Sequence, residues 1–328
     1  MSYTAHNDRY RSMKYNRCGN SGLLLPALSL GLWKNFGSVD SFTEAKRMLL
    51  RAFDLGVTHF DLANNYGPEY STAEETFGRV ISADLSRYRD EIIVSTKAGY
   101  EMWPGPYGDG GSRKYLIASL DQSLVRMKLD YVDIFYHHRP DPDTPIEETF
   151  GALEQIVKSG KALYAGLSNH PAENISRAKA YFNEARIPFI IHQSKYSLFE
   201  RTIEDRLIDT AGREGIGVIA FSPLAQGLLS EKYLNGIPAD SRATRFAPMQ
   251  GLITPSNVEK VKKLNTIAKK RGQTLSQMAL SWVLRDSRVC SAIIGARNIA
   301  QIEENIAAIG ASKLTTVECD EIDQVMTD

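Results

Sequence analysis

One rhythm restricts what this chain can fold into. Short runs rich in β-branched residues recur at 27–31 (ALSLG), 57–61 (VTHFD), 91–96 (EIIVST), 132–136 (VDIFY), 162–168 (ALYAGLS), 189–193 (FIIHQ), 217–221 (GVIAF) and 291–295 (SAIIG). Most are near-continuous apolar runs, the pattern of parallel strands covered on both faces. Helical patterns fill the gaps. SFTEAKRMLLRAFDLG puts Ala45, Met48, Leu49, Ala52 and Phe53 on one face, with Gly56 as the stop. SRKYLIASLDQSLVRMKLD aligns Leu116, Leu120, Leu124 and Met127. TPIEETFGALEQIVKSGK opens with Thr144 as N-cap, Pro145 at the first helical position and Glu147 closing a capping box. SNVEKVKKLNTIAKKRG repeats the signal with Ser256 and Glu259 and stops at Gly272.

Strands alternating with helices in this number predict an α/β fold, a (β/α)8 TIM barrel built as a single domain over 1–328. A doubly wound sheet would bring a glycine-rich turn leading out of its first strand, and none is present. The nearest match, GIGVIA at 215–220, runs into a strand and reads as a tight αβ loop. KYNRCGNSGLLLPAL, ahead of the first barrel strand, reads as a hairpin able to plug the barrel bottom. The interval between the seventh and eighth runs is the longest and contains NGIPADSRATRFAPMQGLITPS at 235–256. A loop of that length in a barrel points to function.

Composition narrows the class. Lys+Arg and Asp+Glu are both 39, and no basic stripe stands out, so no nucleic-acid partner is expected. No apolar run is long enough for a membrane helix, and the N-terminal MSYTAHNDRYRSMKYNR has no apolar leader core. Cys18, Cys290 and Cys319 lack CxxC or metal-ligand spacing. A cytoplasmic protein with reduced thiols, no membrane partner and no metal is the expectation.

Polar residues at the C-terminal strand ends of such a barrel read as catalytic, because that face carries the active site. They are Asp61, Lys97 and His138 after the second, third and fourth runs, Ser168 and Asn169 after the fifth, and His192 and Gln193 at the sixth. Tyr66 lies in the loop after the second. Asp61 alone could start a turn, and with Lys97 it could form a structural ion pair. Tyr66 and His138 tilt the reading toward chemistry. An ammonium beside Tyr66 is expected to lower the phenol's pKa from its usual value of about 10, while Asp61 keeps Lys97 charged and aimed. Tyr66 then protonates an oxygen that is becoming an alkoxide, and His138 orients that oxygen and shares the transfer. A carbonyl receiving hydride at carbon needs this set. The residues also leave open a Schiff-base aldolase through Lys97, which Asp61 would oppose. A metal hydrolase using Asp61, His138, His192 and His59 stays open too, although no HxH or HExxH pair occurs.

The segments LGLWKNFG, GVTHFDLANNYG, IIVSTKAG, LDYVDIFYHHRPDPDTP, GKALYAGLSN, FSPLAQGLLSEKY and IIGARNIAQIEEN resemble the aldo-keto reductases across most of the chain. Within that family the likeness is to bacterial L-glyceraldehyde 3-phosphate reductases and, further off, to voltage-gated potassium-channel β subunits. By this resemblance Asp61, Tyr66, Lys97 and His138 are the catalytic four, with Tyr66 as proton donor. The β subunits usually carry Asn where this chain has His138, which favours an active reductase over a cofactor-loaded redox sensor.

The resemblance further implies NADPH (NADP+ after turnover) lying across the barrel mouth without a Rossmann fold. Ser168, Asn169 and Gln193 would hold the nicotinamide carboxamide, with Phe221 stacked on the ring and Trp33 alongside. Ser222, Pro223, Leu224, Gln226 and Gly227 would wrap the pyrophosphate, and Lys232 and Arg242 would clasp it from the long segment. Gly295 and Arg297 begin a helix whose N-terminus can receive an anion, and the Arg297 fork suits a 2′-phosphate. Gln301, Glu304 and Asn305 would meet the adenosine, Glu304 at the adenine amino group. Trp33, Phe36 and Trp103 are expected to wall the substrate pocket around Tyr66 and His138. Arg139 and Arg113 are the candidate cations for a phosphorylated substrate. The expected reaction is reduction of small or aromatic aldehydes, L-glyceraldehyde 3-phosphate and methylglyoxal among them. Relatives suggest a homo-tetramer or homo-octamer by analogy.

Overall fold

Every apolar run becomes a strand, and the strands close on themselves. The structure is a computed structural model and describes residues 3–234, 236 and 251–327. The chain runs β1 (Tyr15–Arg17), β2 (Leu24–Pro26), β3 (Leu28–Gly31), α1 (Phe42–Asp54), β4 (His59–Asp61), α2 (Thr72–Val80), β5 (Ile93–Ala98), α3 (Arg113–Met127), β6 (Val132–His137), α4 (Ile146–Lys158), β7 (Ala162–Ser168), α5 (Ala172–Ala185), β8 (Phe189–Lys195), α6 (Leu207–Arg213) and β9 (Gly217–Phe221). After β9 come α7 (Pro255–Lys270), α8 (Leu275–Val283), β10 (Val289–Ile294), α9 (Ile299–Ala307) and α10 (Thr316–Thr327). Strands β3 to β10 pair in parallel in sequence order, and β10 returns to β3 to close the barrel. This is the (β/α)8 barrel the rhythm predicts. Among the described residues no helix is long and apolar enough to cross a membrane.

The helices dock by the faces that their periodicity marks. Ala45, Met48, Leu49, Ala52 and Phe53 are the buried residues of α1, and Ser41 caps it by accepting from the Glu44 amide. Helix α3 buries Leu116, Leu120, Leu124 and Met127 and is capped by Ser112. Two predicted caps are shifted. Helix α4 starts at Ile146 with Pro145 in the cap position and no capping side chain. The Thr144 hydroxyl instead donates to Asp141 at 2.7 Å, so that carboxylate outcompetes the helix end. Helix α7 is capped by Thr254, with Pro255 at its first turn, and Ser256 lies inside the helix. Thr254 wins because it precedes the proline, whose missing N–H costs nothing there. Much of the long β9–β10 interval is therefore helical. Residues 235 and 237–250, including Arg242, lie outside the described residues.

The predicted hairpin is present, with Asn16 opposite Leu25 in antiparallel pairing. Cys18 and Leu25 are fully buried and pack against Ile134, Ile191, Ile219 and Cys290 inside the barrel, so the hairpin does stopper its N-terminal end. Its turn demands glycine. Gly19 has φ +54°, and a Cβ there would stand 2.2 Å from the Gly215 carbonyl oxygen. The opposite, C-terminal end of the barrel is left for the site.

Candidate active site

Strand register assembles the centre. In the parallel β4–β5 pair Asp61 lies opposite Ser95, and Lys97 follows two residues on, which returns it to the same inward face. Both charged residues are buried, Lys97 completely. The Lys97 ammonium donates to Asp61 Oδ2 at 2.6 Å, to the Leu62 carbonyl at 2.7 Å and to the Tyr66 hydroxyl at 3.2 Å. An ammonium has three protons, so all of them are committed. Asp61 Oδ1 accepts from Ser95 Oγ at 2.7 Å and from Gln193 Nε2 at 2.9 Å. Both carboxylate oxygens are thus satisfied, which is what makes a buried charge tolerable.

Tyr66 arrives on the turn that follows β4. Its amide donates to the Ala63 carbonyl, and the next residue, Gly67, takes φ +103° and donates to the Trp33 carbonyl at 3.2 Å. The Lys97 ammonium lies 4.7 Å from the centre of the Tyr66 ring. His138 stands just beyond β6, its amide bonded to the Ala98 carbonyl and its own carbonyl accepting from Asn169 Nδ2 at 3.0 Å. Its ring meets Tyr66 edge-on at 5.9 Å and Tyr100 at 4.7 Å, and its buried Nδ1 has no hydrogen-bond partner. The four expected catalytic residues therefore form one cluster.

Their ionisation departs from expectation in one respect. Burial, then the Asp61 charge, pushes the Tyr66 phenol well above its ordinary value, where the sequence suggested a fall. The Lys97 ammonium is present, but desolvation of a phenolate and repulsion by Asp61 outweigh it. Burial also lowers Lys97 while Asp61 opposes that shift. His138 is pushed well below the usual histidine range by burial and by the Lys97 charge. It is a neutral imidazole that can orient an oxygen but has no extra proton to share.

A cleft of about 420 Å³ runs from this cluster across the barrel mouth. Asp61 and Tyr66 line one end of it, and Trp33, Phe221, Ser222, Pro223, Leu224, Gln226, Gly227, Lys232, Gly295, Arg297, Gln301, Glu304 and Asn305 line the rest. Most of the expected cofactor residues thus share one surface. Ser168, Asn169 and Gln193 do not line the cleft. They stand at the ends of β7 and β8 beside the cluster, and the Gln193 amide is engaged with Asp61. Phe36 and Trp103, expected as pocket walls, do not line the cleft either. Phe36 is fully buried in the core, and the Trp103 ring packs on Tyr115 of α3 at 5.4 Å. Trp103 has thus found an aromatic partner on α3, and Phe36 a place in the core. Arg113 reaches Gln155 on α4, whereas Arg139 stays beside His138, its guanidinium bonded to Asp109 at 2.8 and 3.0 Å and 5.0 Å from the Tyr100 ring centre.

The segment after β9 is built under strain. Ser222, Ala225 and Gln226 all hold positive φ, at 53°, 47° and 60°. Non-glycine residues there cost about 1–2 kcal/mol each, and such strain concentrates at ligand clamps. Gln226 lines the cleft and keeps a buried Oε1 without a partner. At the far end, Asn298 caps α9 by accepting from the Gln301 amide, and Gln301 Oε1 accepts from the Arg297 amide. The Gln301 amide of that helix start and the Arg297 amide just ahead of the cap are therefore taken by the chain itself. The Arg297 side chain makes no ion pair among the described residues. An orphaned acceptor, a strained loop and an unpaired guanidinium along one cleft fit an extended ligand with an anionic end.

Several lining or supporting residues carry no sequence signal. Ser95 is an ordinary strand serine until its register places it on Asp61. Asn35 has φ 71° and ties its loop to the Ala296 carbonyl at 2.8 Å. Its tolerance of the left-handed region was the one available hint.

A parallel eight-stranded barrel with an Asp–Lys–Tyr cluster and a neutral histidine at its C-terminal mouth defines a carbonyl-handling enzyme. The aldo/keto reductase family model matches residues 27–327, and the chain belongs to that family. It is an oxidoreductase of a family that works with nicotinamide cofactors. It is 54% identical to the L-glyceraldehyde 3-phosphate reductase of Escherichia coli (strain K12), over 100% of this chain and 96% of that protein. It is 38% identical to probable voltage-gated potassium channel β subunits of Arabidopsis thaliana and Oryza sativa subsp. japonica, over 96% of this chain and 97% of each.

Proposed function

We propose that this protein reduces small aldehydes to alcohols with NADPH, with Tyr66 as the general acid. The observation that carries the reading is the direction of the Lys97–Tyr66 hydrogen bond at 3.2 Å. Because Lys97 donates to the phenol oxygen, the proton on Tyr66 is left to point into the cleft. The bound reduced nicotinamide would supply the hydride. Tyr66 protonates the carbonyl oxygen as negative charge builds there. A raised phenol pKa suits this role, since the acid stays protonated until an alkoxide, a stronger base than phenolate, appears beside it. Lys97 then stabilises the phenolate, and Asp61 prevents the ammonium from losing its charge. His138, neutral, donates a hydrogen bond that orients the substrate oxygen.

Two competing chemistries lose support. A Schiff-base lysine needs a lone pair, and Lys97 has all three protons committed. A metal ligand set needs free ring nitrogens. Both nitrogens of His59 are bonded to serines, and those of His192 to Ser194 and the His170 carbonyl.

On the cofactor side, Arg297 would take the 2′-phosphate, Phe221 would stack on the ring, and Gln226 with its strained neighbours would hold the pyrophosphate. Arg139, next to His138 in sequence and paired with Asp109, is the proposed cation for a phosphate on the substrate. The similarity to the E. coli enzyme makes L-glyceraldehyde 3-phosphate the first substrate to try. The test is NADPH oxidation against methylglyoxal, 4-nitrobenzaldehyde and both enantiomers of glyceraldehyde 3-phosphate, with NADH as the control. Tyr66→Phe should lose about 10²–10⁴-fold in turnover while binding NADPH as well as the parent does. A loss under about threefold would remove Tyr66 from the mechanism. Tight NADPH binding without turnover on any aldehyde would replace the reductase by a cofactor-bound sensor.

A further inference from the structure

The barrel interior beneath Asp61 is polar where such interiors are ordinarily packed with branched aliphatic residues. Ser29 of β3, His59 of β4, Ser95 of β5 and Ser291 of β10 are all fully buried. They form one unbroken line. Ser291 Oγ lies 2.7 Å from Ser29 Oγ, and Ser29 Oγ lies 2.9 Å from His59 Nδ1. His59 Nε2 lies 2.9 Å from Ser95 Oγ, which lies 2.7 Å from Asp61 Oδ1.

Proton counting fixes the direction of this line. An ionised carboxylate only accepts, so Ser95 spends its single proton on Asp61. Ser95 must then accept from His59, which places the imidazole proton on Nε2. His59 Nδ1 is left as an acceptor for Ser29, and Ser29 accepts in turn from Ser291. The alternative acceptor for Ser291, the Ala27 carbonyl, lies 3.5 Å away and is too distant to compete. Every bond points toward Asp61. A second proton on His59 would reverse the Ser29 end of the line, and burial opposes it by holding the imidazole down at about 4. The titratable groups facing this ring are Asp61, which raises it, and Lys97, which lowers it. Tyr136 also projects into the same interior.

We propose that His59 is a positioning residue for the reaction: through Ser95 it delivers a directed hydrogen bond to Asp61 and so holds Lys97 on Tyr66. The proposal rests on the reductase reading above. A purely structural role explains it less well, because an apolar layer of matching shape would be about as stable as buried polar groups. What the polar line adds is a fixed orientation of one carboxylate. Hydrogen bonds in series also strengthen one another in a dry interior.

The test has one arm that needs no turnover. In the intact 15N-labelled protein, His59 should show a protonated Nε2, an unprotonated Nδ1, and no titration across neutral pH. An Nδ1–H tautomer or an imidazolium would overturn the proposal even if the enzyme is an active reductase. The second arm uses His59→Leu and His59→Gln, the latter keeping a donor and an acceptor on one carbon as imidazole does. His59→Leu should lower kcat about tenfold, with KM little changed. The acid limb of its kcat profile should move up by about one pH unit, because a carboxylate that loses hydrogen bonding is more easily protonated. His59→Gln should restore both. A folded His59→Leu with parental kcat and pH profile would sink the proposal, as would equal loss in both variants without a pH shift. Should His59→Leu fail to fold, Ser29→Ala, far from the reacting atoms, must show the same upward shift in smaller degree. A parent without reductase activity would be a failure of the functional reading alone, and the tautomer measurement would still decide the line.

Discussion

At the scale of residues, the centre is an ion pair whose members cannot be valued one at a time. Lys97 and Asp61 are both buried, and each is the main compensation for the other's lost hydration. Removing one partner of such a pair typically costs about 3–5 kcal/mol, because the other charge is stranded. Asp61→Asn and Lys97→Met should each lower unfolding free energy by about that amount. The double variant should cost clearly less than the sum of the two, and all three should be inactive. Urea denaturation of the four proteins checks this, and strict additivity would show that the pair is not coupled. The pair itself was legible in the sequence, because opposite charges ending two adjacent buried runs can satisfy each other, whereas Asp61 alone also reads as a turn start. The ionisation of Tyr66 was not. Its direction depends on how much burial opposes a neighbouring cation, and no sequence pattern displays depth. Ser95 was hidden for a related reason, since its meaning comes only from lying opposite Asp61.

At the scale of elements, the sequence showed most where periodicity and composition agree. Helices α1 and α3 bury the stripes that their spacing marks. Helix α8 gave no stripe because Leu275, Ser276, Met278, Ala279, Leu280, Trp282 and Val283 are all buried, and a helix wrapped on nearly every side has no polar face to set a period. Cap positions slipped where a proline lay near the start, since several nearby residues can serve. The α9 start teaches a sharper lesson. The sequence suggested that the helix end itself would receive an anion; the Asn298 side chain occupies the Gln301 amide there, and the Gln301 side chain holds the Arg297 amide just ahead of the cap. The proposed recognition of a phosphate there would then rest chiefly on the Arg297 side chain, which lines the cleft. Arg297→Leu should therefore raise the Kd for NADPH about tenfold or more, the scale of a charge-assisted contact, and leave the Kd for NADH nearly unchanged. Fluorescence titration with the two cofactors decides it. Equal weakening of both would place Arg297 on a part that they share.

At the scale of the molecule, the histidines make an acid-sensitive core. Five of the six are buried, at 59, 137, 138, 170 and 192, and only His6 is exposed. Their hydrogen bonds need neutral rings. Asn174 Nδ2 donates to His170 Nδ1 at 3.0 Å, which puts the His170 proton on Nε2, facing His137 Nδ1 at 3.0 Å. His192 donates from Nε2 to the His170 carbonyl at 3.0 Å. Burial is the leading cause that lowers each, His59, His137 and His192 to about 4 and His170 to about 2, with His138 also well below the usual range. In the unfolded chain all five return to about 6.5. Below that pH the unfolded state takes up protons that the folded state refuses, so stability falls as pH drops from about 6.5 toward 4 and levels off only when the folded rings protonate. Each ring contributes a slope on the order of 1 kcal/mol per pH unit in that window. In the unfolded chain the carboxylates titrate mostly below that window, at about 4. The urea midpoint should thus be much lower at about pH 5 than at about pH 7.5, and replacing the His137–His170 pair by residues that do not titrate should flatten the dependence. A midpoint unchanged over that range would mean that the rings take up protons in place, and that the barrel holds charged imidazoles where its hydrogen bonds leave room only for neutral ones.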